Sequence, residues 1–172
     1  MNEKEAIEKA TADAFINLYN SETGSSCAII EYSDAPDIRC KDPEGQEFNF
    51  EITMTEDRPK DIQANLGRSD HRNLDSLKKH LEEVKAGQAN PLERVSCLQG
   101  NVTEMIVSRI QCKLKKHYGS NVALVIRDAS PLSWDWNMVT DQIKALLNLE
   151  RNPFDNGIWI ITYQKDRIYK VL

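Results

Sequence analysis

The run APDIRCKDPEGQEFNFEIT, residues 35–53, decides how the rest of the chain is read. Asp42-Pro43-Glu44-Gly45 suits a type I turn closed by a left-handed glycine, giving a three-residue hairpin loop with a bulge at Gly45. The flanking residues then run as antiparallel strands. With Pro43, Glu44 and Gly45 as the loop, Asp42 faces Gln46, and counting outward brings Asp37 opposite Glu51. A tighter two-residue turn would instead set Asp37 opposite Phe50. Period-two alternation puts Glu47, Asn49, Glu51 and Thr53 on one side of the second strand and Phe48, Phe50 and Ile52 on the other.

Directly opposed residues on one sheet face hold their Cβ atoms roughly 4.5 to 5.5 Å apart. A small hard cation with oxygen ligands at about 2.1 Å fits between two such carboxylates. The pattern of Pro36-Asp37, a hairpin, then Glu51-Ile52-Thr53 resembles the PD-(D/E)xK nuclease superfamily, the restriction-endonuclease-like fold. The resemblance implies that Asp37 and Glu51 bind Mg²⁺ or Mn²⁺ and that a lysine orients or activates the attacking water. The motif's lysine position is Thr53 here, which the resemblance leaves as a residue whose hydroxyl would hydrogen-bond behind the metal ligands. Either another basic group has moved in or the site no longer cuts. The implied partner is DNA.

With 172 residues, the chain is long enough for one domain with a sizeable core and short for two. No stretch approaches membrane-spanning length, and the charged start MNEKEAIEKA reads as a helix and not a signal peptide, so the expected location is cytoplasmic. Cys27, Cys40, Cys97 and Cys112 lack paired metal-ligand spacing and suit buried, reduced thiols. The net charge of -5 excludes indiscriminate coating of a polyanion but leaves room for a locally basic cleft.

The chain opens with an amphipathic helix from about Glu3 to Tyr19, its stripe made of Ile7, Ala14, Phe15 and Leu18, and Asn20 to Ser26 break it. Some members of the superfamily add a glutamate from this helix, and Glu8 is the best-placed acid; a solvated flank charge is the alternative. Cys27 to Ile30 reads as a buried strand. Residues 54–100 interrupt the core. Arg58, Lys60, Arg68, His71 and Arg72 there face a passing phosphate backbone or simply solvent. A helix from about Asn73 to Ala86 carries Leu74, Leu77, Leu81 and Val84 in a narrow seam that docks on its own domain or pairs two subunits as a homodimer.

Asn101 to Tyr118 forms the strongest helical pattern and leads through Gly119 to the buried strand VALVIRD, which implies a parallel pair joined right-handedly. Its apolar face centres on Ile106, Ile110 and Leu114, with Lys113 and His117 toward that face and Lys115 and Lys116 away. Superfamily members with a relocated lysine carry it on this helix, which makes Lys113 the candidate. Depth argues against it, because Lys113 lies ~18 Å along the axis from Asn101 at ~1.5 Å per residue. An amphipathic stem covering apolar surface is the plain alternative. Arg39 and Lys60 are further candidates.

Ser133 is a helix cap with Asp135 in the first turn, ahead of a helix presenting Trp136, Val139, Ile143, Leu146 and Leu147 to the core. Trp134 and Trp136 stack on bases or pack internally. IWIITY, residues 158–163, is a buried strand, and RIYKVL alternates as an edge does. The expected class is α/β, a mixed β-sheet flanked by helices on a restriction-endonuclease-like core with a helical insertion, forming a single nuclease-like domain. Its expected activity is metal-dependent hydrolysis of phosphodiester bonds in DNA, or, with the lysine lost, noncatalytic binding of nucleic acid or protein.

Overall fold

The computed structural model describes residues 3–55, 86, 102–128, 134–147 and 152–172. Two compact units divide the chain: Met1–Thr55 with Glu104–Leu172, and Glu56–Thr103. The expectations for residues 56–85 and 87–100, including the basic residues from Arg58 to Arg72 and the Leu74 to Val84 seam, lie outside the described residues, as do Cys97 and Ser133.

The first unit is α/β. The described elements are α1 (Glu3–Thr23), β1 (Ala28–Tyr32), β2 (Ile38–Lys41), β3 (Asn49–Met54), α2 (Val102–Leu114), β4 (Val122–Arg127), α3 (Trp136–Leu146), β5 (Ile158–Ile161) and β6 (Ile168–Lys170). The strands form one sheet in the order β1-β2-β3-β4-β5-β6. Neighbours are antiparallel from β1 to β3, parallel from β3 to β5, and antiparallel again between β5 and β6. Helices lie between the parallel strands in sequence because a parallel pair cannot be closed by a tight turn.

One sheet face packs under α1. Ala12, Phe15 and Ile16 of the helix join Ile38, Cys40, Phe48, Phe50, Ile52, Ala123, Val125, Trp159, Ile161 and Ile168 in one buried cluster. Phe15 is its centre, with ring centroids 5.1 Å from Phe50 and 6.2 Å from Trp159, while Tyr19 stacks on Phe48 at 4.3 Å. The buried stripe is therefore turned from the one read in the sequence. Ala14 and Leu18 are only partly buried, and Thr11 is fully buried because its hydroxyl donates to the Ile7 carbonyl at 2.7 Å. The opposite face carries α2 and α3. Lys113 of α2 reaches Glu51 of β3, and Trp136 of α3 stacks on Tyr169 of β6 at 5.9 Å. Trp136 thus packs internally.

Several boundaries differ from expectation. α1 continues to Thr23, whose hydroxyl donates to Tyr19 O at 2.7 Å. Asn20, read as a breaker, instead clamps the chain: its amide donates to Cys27 O at 2.8 Å and its carbonyl accepts from Cys27 N at 3.0 Å. β1 is a largely exposed edge strand, not a buried one, with Ile30 at 55% exposure and its pairing to β2 interrupted between Ile29 and Glu31. α2 ends at Leu114, four residues early, in a turn where Lys116 N donates to Lys113 O at 3.1 Å. Gly119, with φ of +88°, then takes a conformation that other residues adopt only with strain. The Asp135 carboxylate caps α3 by accepting from Met138 N at 3.2 Å, so it is the cap and not a first-turn acid. Leu146 is exposed at the end of that helix, and Cys112 is exposed rather than buried.

Candidate functional site

The turn after β2 sets the geometry of the site. Gly45 N donates to Asp42 O and Asp42 N donates to Gln46 O, each at 3.0 Å, while Gly45 sits at φ +86°. The Asp42 carboxylate locks the loop further by accepting from Glu44 N and Gln46 N. Lys41 then pairs with Glu47 and Ile38 with Phe50. One step outward, Asp37 stands across from Glu51, as the three-residue loop requires; the two-residue alternative is excluded.

Beyond Ile38 the main-chain ladder gives way to side chains. Asp37 Oδ2 accepts the Ile52 N–H at 2.7 Å, and Glu51 Oε2 accepts the Asp37 N–H at 3.3 Å. Each carboxylate thus satisfies a backbone donor of the facing segment, which fixes both where β2 begins. Lys113 completes the group: its Nζ lies 2.6 Å from Glu51 Oε1, and the side chains of Lys113 and Glu51 are 18% and 6% exposed. The depth of Lys113 along α2 is no obstacle, because its long stem spans the distance to the strand. Lys115, Lys116 and His117 are exposed. His117 misses the apolar face because the helix has already ended.

Asp37 has its pKa pushed up to about 6. Burial is the main cause; the Ile52 N–H opposes it, the negative charges of Glu51 and Glu8 add to it, and the Lys113 ammonium offsets part of it. Thr53 is buried on the Glu51 side of β3, paired with Ile126. Arg39 turns away to an exposed pair with Glu31 at 3.7 Å. Lys60 lies outside the described residues.

Tyr118 went unnoticed as a site residue in the sequence. Its ring is buried against Phe154 at 5.4 Å, and burial first, then the charges of Glu51 and Asp37, push its pKa up. Its hydroxyl is buried and close enough to the two acids to feel their charge. An aromatic residue just before the glycine that follows a helix was the available signal.

Two carboxylates held this way suit a hard cation that retains much of its water and takes further oxygens from a phosphate. Among the described residues no group of three or more His, Cys, Asp or Glu side chains is arranged to hold a metal ion. No helix among them is long and apolar enough to cross a membrane. The chain matches no family model, no curated protein and no solved structure.

Proposed function

We propose that the chain is a divalent-metal-dependent nuclease that hydrolyses phosphodiester bonds in DNA, working in the cytoplasm on a divergent restriction-endonuclease-like scaffold. The observation that carries this reading is the Asp37, Glu51 and Lys113 group, with two acids opposed across neighbouring strands and an ammonium on one of them. Asp37 and Glu51 would hold Mg²⁺ or Mn²⁺, and the donor set fits, since burial first and then the charge of Glu51 raise the pKa of Asp37, and a cation would offset both. The bound ion would lower the pKa of its water and stabilise charge on the phosphate. Lys113 would stand in for the motif's missing lysine and orient the attacking water, while Thr53 lines the same side of β3 with a hydroxyl.

Purified protein with Mg²⁺ or Mn²⁺ nicks plasmid DNA on this reading, and Asp37→Ala or Glu51→Ala abolishes nicking. Cleavage that survives both substitutions rejects the assignment. The other reading, a noncatalytic nucleic-acid-binding or protein-binding module, is favoured by the closeness of Lys113 to Glu51, where the ammonium itself neutralises the acid. Calorimetry separates the two: a Mn²⁺ site lost in Asp37→Ala supports the enzyme, and absence of binding at millimolar Mn²⁺ supports the module.

A further inference from the structure

We propose that α2 is the track along which one strand of a DNA duplex passes the acidic pair, with Arg109 holding a phosphate on one side of Lys113 and Lys115 with Lys116 holding phosphates on the other. The proposal takes its partner from the DNA reading above but does not depend on cleavage. The chain carries a net charge of -5, yet residues 102–116 contain one acid, Glu104, against four bases, Arg109, Lys113, Lys115 and Lys116. Positive charge is thus concentrated on the element that reaches Glu51.

Two contacts fix the direction of this helix across β3. Lys113 Nζ lies 2.6 Å from Glu51 Oε1, and Arg109 Nη2, one turn earlier, donates to Thr55 O at 3.5 Å, four residues further along the strand. Helix and strand therefore run in opposite senses. Four strand residues span about 13 Å, so the guanidinium is anchored away from the carboxylates and is placed for a neighbouring phosphate, not the one at the acids. Its planar fork of donors matches phosphate oxygens. Past Lys113 the chain turns, with Lys116 N donating to Lys113 O at 3.1 Å, and Lys115 and Lys116 are exposed. Asp37 and Glu51 alone would repel a phosphate backbone. Cations on both sides of them along one helix offset that repulsion and draw the strand in.

Fluorescence anisotropy of a labelled DNA duplex, titrated with the full chain in chelator at several salt concentrations, tests the track without cleavage. Each neutralised phosphate contributes about 0.9 to the slope of log affinity against log salt. Arg109→Met lowers that slope by about one, and Lys115→Met combined with Lys116→Met lowers it by about two. Lys170→Met, on the edge strand β6, leaves it unchanged. Arg109→Lys restores the slope, because an ammonium also neutralises a phosphate; a residue that only tied α2 to Thr55 would change stability and not the slope. A slope that stays at the wild-type value in R109M or in the lysine pair overturns the proposal, and so does a wild-type chain that binds no duplex. Should R109M fail to fold, the exposed lysine pair decides. Plasmid nicking is read separately: slopes that fall as expected in a chain that does not nick reject the nuclease reading and keep the track.

Discussion

The two sides of β3 are built from the same six-residue strand and are buried to similar depth, yet they solve burial by different means. Toward α1, Phe50 and Ile52 meet Phe15 and other apolar side chains, and Phe48 just before the strand joins them. Toward α2, Asn49, Glu51 and Thr53 are buried polar groups, and each needs a partner or leaves an uncompensated cost. The first side is tolerant in detail and strong in sum. The second is specific, because Glu51 is held by the Lys113 ammonium and by the Asp37 N–H.

The comparison breaks first at Phe50. Phe50→Ala empties the fully buried centre of the α1 side and costs about 3–5 kcal/mol in denaturant unfolding; a loss below about 1 kcal/mol would mean that this side is not the stabilising one. On the α2 side, Lys113→Met strands Glu51 and costs about 2 kcal/mol, less than a fully buried pair because Lys113 retains some water. Combining it with Glu51→Leu, which makes this side resemble the other, restores stability to within about 1 kcal/mol of wild type while removing any Mn²⁺ binding. A double variant no more stable than K113M would show that the pair is not interchangeable with apolar packing.

The smallest effect carries a pH signature. Asp37 binds its proton more tightly in the folded chain, with a pKa of about 6 against an ordinary 3.8, so its contribution to stability declines as pH rises through that interval and stays low above it. Asp37→Asn keeps an acceptor for the Ile52 N–H and removes the charge. It therefore raises the melting temperature at about pH 7.5, by an amount equivalent to about 1 kcal/mol, and leaves it nearly unchanged at about pH 3.5. A variant less stable than wild type at the higher pH would contradict the strained carboxylate.

Much of this contrast was legible in the residues. The Asp42-Pro43-Glu44-Gly45 turn sets register locally, and a period of two then dictates which side every residue of β3 takes, so the Asp37 and Glu51 pairing followed from short-range rules. Lys113 was legible from the helical wheel for the same reason. Tyr118 was not, because it stands beyond the end of α2, where helical periodicity no longer says which way a side chain turns. The exposure of β1 was missed for a different cause: an apolar run says that a strand forms, but its place at the sheet margin depends on which strands pair, a property of the whole chain. The α1 stripe was misjudged because Thr11 hides its hydroxyl against its own helix and so behaves as an apolar residue.

Among the described residues, strand order across the sheet follows strand order along the chain. Each new strand therefore finds its neighbour already laid down, and the sheet can grow by accretion at one margin as the polypeptide emerges during synthesis. Among the described strands none must be threaded between two earlier ones, so the acidic hairpin can be in place before the lysine-bearing helix arrives to neutralise it.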